Sequence, residues 1–318
     1  MLVGYIPVVC AAPFPVVVLC FFLIGFGMSI TVALANIFCG GLRRGTAALG
    51  VVHGCYGIGG TIGPLVATAI VTVAKSVWQR YYIITLGLAV VNAVFAAWAF
   101  WQYEEESSSG QALTQREDGQ HSMEVLGMFS ALKLRMVLLG AIFIFAYQGA
   151  EVSISGWVIS FLITTRHGEP ASVGYVTGGF WAGITLGRFL LSAPAHRVGE
   201  KVFVYGVVIG AAVFQALVWS VPNVIGDAIS VAIVGLLLGP VYPCAAAVFM
   251  RGMNRKEKVS GIGVISAFGS SGGAVAPFTT GILAQAVGTW VLHPIAIGLF
   301  AAMLICWWGL PSVRRRSE

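Results

Sequence analysis

The sequence predicts an all-α polytopic membrane protein made of two helical bundles joined by a polar linker, and three observations carry that reading. Of the 318 residues, 58% are hydrophobic and only 9% are charged, where a soluble domain carries roughly 25%. Mean hydropathy is +0.90, and so few charges cannot cover the surface of a water-soluble fold. The apolar residues gather into nine long runs, each near the ~20 residues that cross a bilayer. Lastly, basic residues are shared unequally between alternate loops.

From the N-terminus, the chain opens on a short apolar stub, Met1–Ala12. As a helix it reaches only about 18 Å, less than a hydrocarbon core of ~30 Å. Spans are expected at 14–38, 46–73, 80–103, 133–163, 172–192, 202–220, 226–250, 260–286 and 290–310. They divide the chain into a partial N-terminal bundle (1–103), a linker (104–132), a six-helix C-terminal bundle (133–310) and a basic tail (311–318). The linker is rich in Ser and Glu, the composition of a disordered tether. Its last stretch, Ser122 to Arg135, also fits an amphipathic helix on the membrane surface, through Met123, Leu126, Met128, Phe129 and Leu132.

Fourteen Lys and Arg fall on one side of the membrane, while Lys75, Arg80 and Arg166 fall on the other. That bias orients the linker and the C-terminus to the cytoplasm, with the plasma membrane as the expected location. It also accounts for the net charge of +6 without a nucleic-acid partner. Six cysteines lie in or beside apolar runs, never as C-x-x-C, and read as core thiols with neither disulfides nor a metal. The chain has no H-E-x-x-H, G-x-x-x-x-G-K-[ST] or G-x-G-x-x-G. No enzyme, no cofactor and no ATP-driven pump are therefore expected, and secondary transport remains.

An internal repeat shows on either side of the linker. Gly59-Gly60-Thr-Ile-Gly-Pro64 returns as Gly272-Gly273-Ala-Val-Ala-Pro277 at an offset of 213 residues. The basic loop at Arg43–Arg44 falls, at the same offset, beside Lys258. Residues 14–103 thus read as a diverged copy of 226–310, and the helices of 133–220 have no N-terminal counterpart beyond the stub.

Five segments, in this order and spacing, resemble the major facilitator superfamily, with the closest likeness to its fucose-permease-like branch of fungal type. They are Leu49–Pro64 with His53 and Tyr56, Tyr147–Trp157, Gly183–Phe189, Gly239–Pro243, and Gly269–Pro277. The resemblance covers nearly all of 1–310. It implies a two-bundle transporter lacking about the first two to three helices, as in a sequence truncated at its N-terminus. It further implies alternating access for a small, sugar-like solute, with symport of a proton as one coupling. In that family acids on the first and fourth helices accompany sugar binding and proton coupling. Here the span at 14–38 contains no acid and Asn36 is its most polar side chain. Efflux of a secondary metabolite, and a truncated remnant that no longer transports, stand as alternatives. The expected partners are the substrate, a proton and lipid, and the protein is expected to be monomeric.

Among individual residues, Glu151 is the acid placed at mid-membrane depth, where an ionisable group usually faces a cavity or a partner. Tyr147, Glu151 and Ser155 share one helical face, with Gln148 beside them. Such a stripe suits a hydroxylated substrate, and the carboxyl suits a coupling proton; a purely structural carboxyl is the competing reading. His53, Trp157, Trp181 and Tyr242 are further substrate candidates, set against ordinary packing. Asp227, at a helix start, reads as an N-cap. Gly187-Arg188 followed by Arg197 looks like the family's cytoplasmic-loop motif, which makes Arg188 and Arg197 gate candidates against plain snorkelling. Glycines at small-xxx-small spacing, including Gly179/Gly183/Gly187, Gly235/Gly239 and Gly269/Gly273, predict close helix crossings. Pro64, Pro240, Pro243 and Pro277 predict bends that serve as hinges.

Overall fold

The computed structural model describes residues 1–41, 45–101, 132–253 and 255–311. Every regular element among them is helical. In chain order these are α1 (Leu2–Val9), α2 (Phe14–Gly41), α3 (Gly45–Thr72), α4 (Tyr81–Ala99), α5 (Arg135–Thr164), α6 (Pro170–Val173) and α7 (Val176–Leu190). There follow α8 (Ser192–Val198), α9 (Glu200–Ser220), α10 (Val224–Leu238), α11 (Val241–Gly252), α12 (Arg255–Val287) and α13 (Leu292–Gly309). Single 3₁₀ turns at Trp78–Arg80 and Thr289–Val291 lead into α4 and α13. Most of the expected linker and of the basic tail lie outside the described residues.

Among the described residues, eight segments are long and apolar enough to cross a membrane: Phe14–Val32, Gly54–Thr72, Trp78–Ala99, Arg135–Thr164, Glu200–Ser220, Val224–Gly252, Ser260–Val287 and Thr289–Gly309. The ninth expected span, 172–192, is not one helix. It is divided into α6, α7 and the start of α8. Pro194 explains the second break, because its ring cannot donate to the Leu190 carbonyl and would crowd it. The expected 226–250 span is likewise cut at Gly239–Pro240.

The repeat is visible in the element boundaries. α3 answers to α12, each with a proline inside the helix, Pro64 and Pro277. α4 answers to α13, each entered through a 3₁₀ turn. α2 answers to α10 and α11 together, and here the copies differ. At the positions equivalent to Gly239 and Pro240 the N-terminal copy has Phe26 and Gly27; without a proline α2 continues unbroken.

Contacts gather into two units, Met1–Tyr56 with Val66–Gly119, and Gly57–Leu65 with Gln120–Glu318. In the first, α1 packs on α2: Gly4 lies against the Cys20 carbonyl and Ile24, leaving no room for a Cβ. The remaining faces of α2 and α4 are apolar and exposed, as suits helices bathed in lipid.

The second unit is better packed. Its densest point is an aromatic triangle of Phe143, Phe249 and Trp307, with centroids 4.9 to 6.2 Å apart. The Trp307 indole donates to the Lys201 carbonyl at 2.9 Å, which satisfies its polar edge inside the core. Lipid is as apolar as leucine, so helices associate through close packing rather than water exclusion. Two glycine seams provide it. Where α7 crosses α10, Gly183 and Gly187 lie on the carbonyls of Ala232 and Leu236, and Gly235 lies on that of Phe180. Where α5 meets α12, Gly272 lies on the Phe145 carbonyl and Gly149 on Ala276. A Cβ at any of these glycines would push two backbones apart.

Candidate functional site

A polar cluster sits inside the second unit, carried by four helices. α5 supplies Tyr147 and Glu151, one turn apart and 1% and 7% exposed. Close approach of α10 to α7 at Gly239 and Gly187 brings in the next residue, Arg188. Its guanidinium lies within electrostatic reach of both Tyr147 and Glu151. The break at Pro240 starts α11, which presents Tyr242 with its ring centroid 6.1 Å from that of Tyr147 and tilted by 43°. From α12, Gly269 and Gly273 leave space for the Gln148 amide, whose Oε1 lies 3.1 Å from where a methyl on Gly269 would stand.

The cluster retains unused hydrogen-bonding capacity. The Tyr147 hydroxyl faces the Glu151 carboxyl. Even so, neither that hydroxyl nor Glu151 Oε2 completes a well-formed bond among the described residues. A buried polar atom without a partner costs roughly 1–3 kcal/mol, so a site that retains two side by side has a use for them beyond packing. Together Glu151, Tyr147, Gln148 and Arg188 offer acceptors and donors in the same small volume, matching an alcohol group that both donates and accepts.

Of the residues singled out in the sequence, Tyr147, Gln148, Glu151, Arg188 and Tyr242 come together here. Ser155 is turned to its own helix, its hydroxyl donating to the Val152 carbonyl at 3.2 Å, while its carbonyl accepts from Thr177 at 3.1 Å. The Trp157 indole donates to the Pro277 carbonyl at 3.0 Å. The Trp181 ring lies against Gly60. Arg197 is exposed at the end of α8, beside the turn at Gly199, whose φ of +101° favours glycine. Pro243 falls in the first turn of α11, where a proline is tolerated. The side chains of Asn36 and His53 lie outside the described residues.

One assignment is corrected. Asp227 does not cap α10; Asn223 does, accepting from the amides of Ile225 and Gly226 at 3.0 Å each. Asp227 instead pairs with Arg166 at 3.0 Å. The same guanidinium donates to the carbonyls of Val218, Trp219 and Val221 and stacks on Phe161. Sequence reasoning missed this clasp. It also missed the buried pair of Gln215 and His293, 2.9 Å apart. Both pairs consist of isolated polar residues in apolar runs, and that isolation was the available signal. A second ion pair, Arg251 with Glu200 at 3.0 Å, is more exposed.

The profile of the Major Facilitator Superfamily matches residues 1–277. The chain is similar to "Bypass of stop codon protein 6" of Saccharomyces cerevisiae, 25% identical over 332 aligned positions that cover 93% of this chain and 64% of the yeast protein. It is also similar to proteins of Brucella abortus named "Glucose/galactose transporter", 26% identical over 218 positions, covering 68% of this chain and 49% of theirs. The chain therefore spans less than two thirds of the length of these relatives.

Proposed function

The chain belongs to the Major Facilitator Superfamily, and from that premise we propose that it takes part in secondary transport of a small hydroxylated solute of the monosaccharide class. The observation that carries the proposal is the buried Tyr147–Glu151 pair with unspent hydrogen-bonding atoms, held beside Arg188 and Tyr242. The name of the Brucella relatives supports the sugar class. Solute hydroxyls bind at Glu151, Tyr147 and Gln148, and the Tyr242 ring lines the sugar's apolar face. Glu151 also carries the coupling proton, because Arg188 beside it makes the carboxyl's charge state matter to the whole cluster. Alternating access then follows from bends at Pro64, Pro240 and Pro277 about this site. The bias of basic loops supports a cytoplasmic C-terminus in the plasma membrane.

Uptake of D-glucose and D-galactose into proteoliposomes, with and without an inward proton gradient, tests the reading. Saturable uptake that the gradient accelerates is expected for the parental chain. In Glu151→Gln, uptake should persist but lose its response to the gradient. Gradient-driven accumulation that survives in that variant would overturn the role of Glu151, and absence of any saturable sugar uptake would overturn the substrate class.

A further inference from the structure

Trp157 and Pro277 stand apart in the sequence, one on α5 and the other within α12, and the structure joins them. α5 and α12 run side by side in the same direction and keep register throughout. Val137 meets Gly261, Ile144 meets Gly269, the Phe145 carbonyl meets Gly272, Gly149 meets Ala276, and Trp157 meets Gly281. Up to Gly149 the small residues of α12 take up aliphatic side chains, one carbonyl and a glycine of α5. At Trp157 its character changes, because an indole replaces the glycine contact. Its Cζ2 lies 2.7 Å from where a methyl on Gly281 would be, and its Nε1 donates to the Pro277 carbonyl at 3.0 Å. Pro277 has no N–H to offer the Gly273 carbonyl, so the hydrogen-bond ladder of α12 is weakest in the turn just before the one that the indole grips.

We propose that Trp157 is a positioning residue that pins the proline turn of α12 to α5, and so to the helix that carries Tyr147 and Glu151. The indole touches no solute. It holds the segment beyond Pro277 in register with the polar cluster, and it must let go when that segment moves. Gly281 is part of the same device, since only a residue without a side chain lets the ring come this close to the helix. The consequence for turnover rests on the transport reading above; the mechanical link does not.

Trp157→Phe separates the two, because it keeps a ring and removes the donor. Hydrogen–deuterium exchange of the chain in lipid nanodiscs should show the amides of 278–287 exchanging about two- to tenfold faster, the range expected for losing one hydrogen bond. The amides of 261–272 should be unchanged. In proteoliposomes, the maximal rate of D-glucose uptake should fall by a similar factor while the half-saturation concentration stays within twofold. Gly281→Ala, which displaces the ring without removing its N–H, should reproduce both effects. Unchanged exchange over 278–287 in both variants would overturn the proposal. A raised half-saturation concentration at unchanged maximal rate would overturn it too, since the indole would then be a solute contact. Faster exchange in a chain whose parent takes up no glucose supports the pin and refutes only the transport reading.

Discussion

Asp227→Asn is the most informative single perturbation of the fold. Asp227 and Arg166 have side chains 2% and 12% exposed and meet at 3.0 Å. At that distance, with an effective dielectric of about 20, the Coulomb attraction is ~5–6 kcal/mol before desolvation is subtracted. The net worth of the pair is much smaller, because both charges had to leave a polar medium. Removing one partner is a different matter, for it strands the other charge and typically costs about 3–5 kcal/mol. Here the stranded group is the Arg166 guanidinium. It still holds the carbonyls of Val218, Trp219 and Val221, so the lower end, about 3 kcal/mol, is the expected cost. Reversible unfolding in mixed micelles, titrated with SDS, measures it directly. Arg166→Met combined with Asp227→Leu should recover most of the loss, since an apolar pair of similar volume leaves nothing unpaired. The reasoning fails if Asp227→Asn costs under about 1 kcal/mol, or if the double variant is as unstable as the single one. Glu200→Gln is the internal control: its partner Arg251 is 46% exposed, and such pairs are worth about 0–1 kcal/mol.

Two further outcomes are expected. Gly187→Ala should destabilise the second unit by about 1–3 kcal/mol, the range for overpacking, because its methyl meets the Leu236 carbonyl. Gly179→Ala, two turns earlier on the same helix, should be near neutral, since its methyl would lie 3.9 Å from Ala232 Cβ; SDS unfolding of the pair separates these cases. Trp307→Phe should cost about 0.5–1.5 kcal/mol for the lost bond to Lys201, in addition to a packing loss in the aromatic triangle, read as a lowered thermal midpoint.

Helix number, the repeat and the glycine seams were largely legible in the sequence, because each depends on local composition or on spacing within one helix. Gly183 and Gly187 announced a crossing, although nothing in their spacing said that Gly235 would be the partner. Tyr147, Gln148 and Glu151 were legible as a unit because four residues bring a helix back to the same face. The addition of Arg188 and Tyr242 was not, since it depends on how α7 and α11 meet α5. The break at 191 carried a signal in Pro194 that hydropathy alone overlooks. Asp227 was misread for a comparable reason: a capping side chain and a buried ion-pair partner look alike at a helix start, and only the arrival of Arg166 from 61 residues away distinguishes them.

The contact of Gly187 with Leu236 bears on how a membrane helix tolerates interruption. Pro240 removes the amide that would have bonded the Leu236 carbonyl, and inside lipid an unsolvated carbonyl dipole is expensive unless a neighbour answers it. The neighbour here is Gly187, whose α-carbon turns toward that oxygen the C–H that a Cβ would replace in any other residue. A Cα–H···O contact contributes about 0.5–1 kcal/mol, less than the bond it replaces, yet it acts where no water can. The glycine therefore works as a dielectric patch as well as a spacer. Polypeptide that would otherwise have to stay intact across the bilayer can be broken at Pro240 because an adjacent helix lends it a C–H.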